Sequence, residues 1–186
     1  MNAVRKYWSS SVAFAAALMS LFSGFLVALP SSGGENHWYE YGKFLVAVCI
    51  GLWLVPEHTW NRRKHKWAWW TSALVLIILS SGFVMGYTKL VNSWSVLYFR
   101  DQRVVIGKTL TSDGEKARQL VLAAGRLPSD LELLQQVLGD SKRIWSRDEI
   151  DSRQFKLTLV YLIALFLLAS TVVTVAHAAY CSTRKQ

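Results

Sequence analysis

Acidic and basic side chains are missing from most of four long stretches of this 186-residue chain. From three of them, about 7–29, about 67–88 and the last, Leu157–Tyr180, they are missing altogether. About 20 consecutive apolar residues let a helix cross the hydrocarbon core of a bilayer, so the lack of charge changes the solvent against which the chain must be read. Cysteine is scarce too: Cys49 falls inside the second apolar run and Cys181 follows the fourth. Two such residues argue against a small disulfide-stapled ectodomain and leave packing or lipid-facing roles, with palmitoylation of Cys181 as the alternative in a eukaryote. Chemical motifs are also missing. The chain has no glycine-rich phosphate loop, no Gly-x-Ser-x-Gly elbow and no Cys/His set at zinc spacing. Its four histidines, His37, His58, His65 and His177, are scattered, and the pair seven apart in one basic loop reads as solvated or interfacial. Catalytic, cofactor-binding and metal-ligating residues are therefore expected to be none, and the chain is read as no enzyme. Uncharged spans also argue against ion-coupled transport, which usually places ionisable groups near the midplane despite their cost there.

What is present fits a membrane. Hydrophobic residues make up 52% of the chain and charged residues 18%, with the charge gathered between the apolar runs. The first run, about 7–29, follows Arg5 and Lys6 and ends at Pro30-Ser-Ser-Gly-Gly; it is too long for the core of a signal peptide. The second, about 38–56, is fully uncharged only over Phe44–Val55 and needs Lys43 to snorkel. The third spans about 67–88 and the fourth starts at Leu157. Of nine tryptophans, most lie near span ends, where one edge of the indole can be wet. Arg62, Arg63, Lys64 and Lys66, followed by Trp67, Trp69 and Trp70, read as topology and lipid anchors. The net charge of +9 is assigned to such anchoring, and no nucleic-acid partner is expected, because no base-stacking platform accompanies it.

The fold class expected is an all-α membrane protein with four transmembrane helices and a small, mostly helical extramembrane insert between the third and fourth. Residues 1–88 would hold three spans with short loops, 89–156 a polar mini-domain, and 157–186 the fourth span with a basic tail. The positive-inside bias nearly balances between the two sides. Dominance of the first helix and the indifference of long loops favour both termini in the cytoplasm and the insert outside, in a membrane of bacterial inner-membrane type.

Within the insert, Arg103-Val-Val-Ile-Gly-Lys reads as a short strand ending at a glycine. Three Ser-x-x-Glu signatures follow, Ser112…Glu115, Ser129…Glu132 and Ser146…Glu149, each with the pattern of a helix capping box. The first helix should bury Ala117, Leu120, Val121 and Ala124, and the second Leu131, Leu134 and Leu138, stopping at Gly139. Asp140, Asp148, Glu149 and Asp151 are read as capping and pairing residues rather than a catalytic set. From Ser146 the third helix is expected to continue unbroken into the last span, with Glu149 and Arg153 paired at i,i+4. Trp145, Ser146, Glu149 and Arg153 thus form a coupling segment. Small residues, Ala16, Ser20 and Gly24 in the first span and Gly82 and Gly86 in the third, form ridges suited to close helix packing, within one bundle or between subunits.

Four short spans with a compact insert before the last resemble the small membrane components of bacterial conflict and defence systems. The resemblance rests on Val104-Val105-Ile106-Gly107, the capped helices, and Gly139-Asp140 leading through Ile144-Trp145-Ser146 into the last span, and it covers about the C-terminal half. It implies a protein that either perturbs the membrane in response to a partner or protects the membrane against a toxin; no functional residue is carried over. The tetraspanin plan lacks its paired cysteines here. The expected function is a non-enzymatic, oligomerising sensor or effector that contacts the lipid bilayer, other copies of itself and a protein partner at the 89–156 insert. An immunity or exclusion protein and a channel or carrier subunit are the alternatives.

Overall fold

The computed structural model describes residues 66–99, 102–125, 127–183 and 28–31, and positions 17, 20, 26, 42, 43, 46, 47 and 49. The spans expected at 7–29 and 38–56 lie almost wholly outside these residues. Seven elements are described: α1 (Lys66–Trp94), β1 (Ser95–Leu97), β2 (Arg103–Val105), α2 (Ser112–Ala123), α3 (Asp130–Gln136), α4 (Ser141–Ile144) and α5 (Arg147–Thr183). The fold is mostly helical, and two of its helices are long and apolar enough to cross a membrane. At 1.5 Å per residue, the 29 residues of α1 and the 37 of α5 reach about 43 and about 55 Å, against a hydrocarbon core of about 30 Å. The third run was expected to end near residue 88, but its helix continues to Trp94.

The chain divides into two compact units. One comprises Met1–Leu26, Trp38–Gly86 and Tyr161–Gln186; the other comprises Val27–His37 and Tyr87–Val160. In the first, Trp69 stacks on His177 with ring centroids 4.9 Å apart, and the Trp70 indole donates to Ser182 Oγ at 3.3 Å. The start of α1 therefore lies beside the end of α5. Along α5 in this unit Tyr161, Leu165, Ala169, Val173 and His177 are buried, a stripe at four-residue spacing. Thr171 and Thr174 donate their hydroxyls to the carbonyls of Leu167 and Ser170 on their own helix. That leaves no need for water at those hydroxyls in an apolar stretch. In α1 only Ala73 and Ser80 are buried before Tyr87; Trp69, Leu76 and Val84 are half-buried, and Leu74, Val75, Ile78 and Met85 are open.

The second unit holds the insert. β1 and β2 form an antiparallel hairpin with Val96 opposite Val104, and Ser31 adds a parallel bridge to Val104. Helices α2, α3 and α4 close around Val105, Ala117, Val121, Leu134, Ile144, Trp145 and Ile150, all buried. The helix starts of α2 and α3 follow the expected chemistry with one change. Ser129 and Glu132 form the full reciprocal capping box of α3. The cap of α2 is Thr111, one residue before the expected serine, because its hydroxyl reaches Gly114 N. Thr111 also ties α2 to α4, donating through its backbone N–H and its hydroxyl to Ile144 O and through the same hydroxyl to Arg143 O.

Three expected core positions turn outward: Leu120, Ala124 and Leu138. Leu120 is exposed on α2, where Gly114, Ala117 and Val121 face inward. Leu138 is 90% exposed with φ +56, a conformation uncommon for a side chain other than glycine. Helix α3 ends at Gln136, so Leu138 has already left the helical face, and Gly139 at φ +87 completes the reversal. A Cβ on Gly139 would lie 2.8 Å from the Tyr98 ring, so the turn also needs glycine for space.

Candidate functional site

The segment expected to couple insert and span is assembled around the first three turns of α5. Trp145, 2% exposed, ends α4 in extended conformation and bridges Leu110. Ser146 N–H donates to Thr109 O at 3.0 Å, so the chain enters α5 against the strand-like run that follows β2. That run approaches closely because it contains Gly107: a Cβ there would lie 2.6 Å from Trp145 Cβ.

Glu149 was expected to close a capping box on Ser146. Its carboxylate instead crosses to the run after β2, accepting from Lys108 N–H at 3.0 and 2.9 Å, one contact per oxygen, and from Thr109 N–H at 2.9 Å. Two backbone donors left unpaired where β2 ends draw the carboxylate away, since they offer better charge-assisted bonds than the helix's own first turn. The i,i+4 pair with Arg153 forms as well, at 2.6 Å. Arg153 completes the arrangement by donating to Ile106 O at 2.6 Å and lying over the Trp94 ring, 5.7 Å from its centroid. One turn of α5 thereby grips the segment Ile106–Thr109 and the end of α1 through two side chains only 23% and 11% exposed.

Electrostatics follow the geometry. Partial burial by itself would raise the Glu149 pKa. The N–H groups of Thr109 and Lys108 and the Arg153 guanidinium outweigh it and hold the carboxyl below its ordinary range. Nearby, Lys142 Nζ pairs with Asp151 at 2.8 Å, linking α4 to α5, and Asp140 caps α4 by accepting from Lys142 N–H.

A second tie was not legible in the sequence. Gln154, buried on α5, donates to Pro30 O at 2.9 Å, and Ser31 exchanges backbone bonds with Arg103 O and Val105 N–H at 2.8 and 3.0 Å. Arg103 in turn donates to Asn92 Oδ1 on α1 at 2.9 Å. Residues from four separated stretches thus meet where the two long helices leave their uncharged runs. The signal available beforehand was the glycine after a β-branched run; the partners of Gln154 and Arg103 have no local signature.

The other expected site residues are spread widely. Gly82 and Gly86 have no atom within 4 Å of an added Cβ among the described residues. At about 100° per residue both fall on the side of α1 away from Ser80 and Tyr87. Ser20 is exposed, while Ala16 and Gly24 lie outside the described residues, as do Arg62, Arg63 and Lys64. Lys66 opens α1, and Trp67, Trp69 and Trp70 follow in its first two turns; Trp67 is exposed, whereas Trp69 and Trp70 contact α5 as described. Among the described residues no three of His, Cys, Asp and Glu gather where they could hold a metal ion. No family model, no curated protein and no solved structure matches this chain.

Proposed function

We propose that this is a non-enzymatic integral membrane protein with four spans, of bacterial inner-membrane type, that self-associates and receives a partner or signal on its insert. The observation that carries the reading is the unbroken run of α5. Glu149 and Arg153, which grip the insert, and the uncharged stretch Leu157–Tyr180 belong to one helix with no linker between them. A partner that shifts the insert therefore rotates or tilts a segment buried in lipid, and the bilayer is where the response occurs.

Chain parity supports the four-span plan. Ser31 is paired with Val104, so the start of the first loop and the insert lie on one side of any membrane. α1 accounts for one crossing between them; returning to the same side requires a second crossing between residues 31 and 66. The run at 38–56 is the stretch apolar enough to supply it. With the N terminus inside, residues 30–40 and the insert are outside and both termini are cytoplasmic. Self-association draws on the open Gly82 and Gly86 ridge.

The test is inducible expression of the full chain with a membrane-potential dye. An effector depolarises the cell. Phe155→Pro, placed between the Glu149–Arg153 grip and the uncharged run at a residue 67% exposed, should insert normally yet lose the response, because proline breaks a helix interior at about 3 kcal/mol or more. Depolarisation unchanged by Phe155→Pro refutes transmission along α5. Harmless expression that rescues cells from a neighbouring membrane-active toxin replaces the effector with the immunity reading. Labelling of Lys116→Cys by an impermeant thiol reagent in whole cells, in a background lacking Cys49 and Cys181, checks the sidedness.

A further inference from the structure

We infer that the β1–β2 hairpin, together with the Leu138 turn beside it, is a foot that rests in the lipid headgroup layer. The inference rests on the membrane-spanning reading of α1 and α5. Lys89 and Lys156, both exposed, mark the end of the uncharged run on each helix, and long cationic stems of this kind sit where hydrocarbon gives way to water. The hairpin is tied to that level. Arg103 reaches back to Asn92, one turn beyond Lys89. The carbonyl of Arg103 is bonded to Ser31, whose neighbour Pro30 accepts from Gln154, two residues before Lys156. A rise of 1.5 Å per residue keeps Asn92 and Gln154 within about 5 Å of the charged ring along their helices. Arg103 faces Leu97 in the last pair before the turn, so the hairpin is held within about one helical turn of the charged ring.

Beside the tip, large apolar side chains stand open. Leu97 is 49% exposed and Phe99 65%. Leu138, held outward by its positive φ, adjoins Gly139, whose close approach to the Tyr98 ring brings the two turns together. Three large apolar side chains on neighbouring turns would be a liability in water, and here the sequence flanks them with Arg100, Arg103, Lys142 and Arg143 against the two acids Asp101 and Asp140. Apolar side chains bordered by an excess of cations match a surface of acyl chains beneath anionic headgroups. The tip backbone suits that layer too, since Tyr98 N–H donates to Gln102 O and Gln102 N–H to Phe99 O.

The experiment places an environment-sensitive nitrobenzoxadiazole label at Phe99→Cys or Leu138→Cys in the full chain lacking Cys49 and Cys181. A third variant, Ile78→Cys near the middle of the α1 uncharged run, is the reference. Each is reconstituted in phosphatidylcholine–phosphatidylglycerol vesicles whose acyl chains are brominated either near the headgroup or near the terminal methyl. Labels at 99 and 138 should lose emission to the shallow bromines and keep it with the deep ones, while the label at 78 shows the reverse. Quenching at 78 with labels at 99 and 138 open to aqueous iodide overturns the foot by putting the hairpin in water. Quenching at 78 with both labels shielded from iodide and lipid alike overturns it in favour of a protein cover. Absence of lipid quenching at all three positions overturns the spanning reading itself, and the foot with it.

Discussion

Glu149 is the residue whose removal should loosen the insert most directly. Glu149→Ala deletes the acceptor for two backbone N–H groups and for the Arg153 guanidinium. A hydrogen bond to a charged group contributes about 1.5–3 kcal/mol net. Lys108 and Thr109 are exposed, so water takes over their freed donors and the low end applies, roughly 3 kcal/mol for the two. Arg153 keeps the Ile106 carbonyl and the Trp94 face, which limits the loss of its ion pair to about 1 kcal/mol. The sum, about 4 kcal/mol, corresponds in a domain of this size to a fall in melting temperature of about 15 °C or more. Pulse proteolysis of the full chain in detergent reads it as the temperature at which trypsin begins to cut the insert at Lys116 and Arg118. Glu149→Gln, which keeps a carbonyl oxygen but no charge, should show about half the effect. The folded pKa of Glu149 is depressed, so its stabilisation is complete above the ordinary glutamate range. It fades as the pH falls through that range and is gone below the folded value. Wild type and Glu149→Gln should therefore converge in acid. A loss under about 0.5 kcal/mol for Glu149→Ala at neutral pH would mean that water competes fully and the grip is no more than a surface ion pair.

Gly107→Ala forces a methyl to within 2.6 Å of Trp145 Cβ; overpacking should destabilise the insert by about 1–3 kcal/mol in the same assay, with insertion into the membrane unaffected. Gly82→Ile with Gly86→Ile should leave the melting of the described fold unchanged, because an added Cβ at either meets nothing within 4 Å. It should shift the chain from oligomer to monomer on crosslinking in membranes; unchanged crosslinking places self-association elsewhere.

The long elements were legible because their signal is local. An uncharged run of more than 20 residues can satisfy its backbone in lipid only by closing hydrogen bonds within itself, and α1 and α5 follow from that alone. The Ser129–Glu132 box was legible for the same reason: both partners lie within one turn. Glu149 shows where local reading stops. Its spacing from Ser146 is that of a capping residue, yet the carboxylate goes to N–H groups forty residues away in the chain, since donors exposed by the end of β2 compete with the helix terminus. Leu138 fails differently. The helical period predicted its burial, but α3 ends one turn early at Gln136, and a residue past the helix end no longer obeys the period.

From sequence alone came the membrane-compatible runs, the absence of a recognisable chemical motif, the strand at Arg103 and the continuation of the last helix from insert into span. Each depends on neighbours within a few residues or on the length of an uncharged stretch. Only the tertiary structure decided which surfaces meet: that Pro30 and Ser31 join the insert, that Arg153 holds Ile106 and Trp94, and that Leu97, Phe99 and Leu138 stand outward while Trp145 is enclosed. Those outcomes depend on which unpaired donors and which shapes the fold brings within a few ångströms, and residues distant along the chain carry no mark of that encounter.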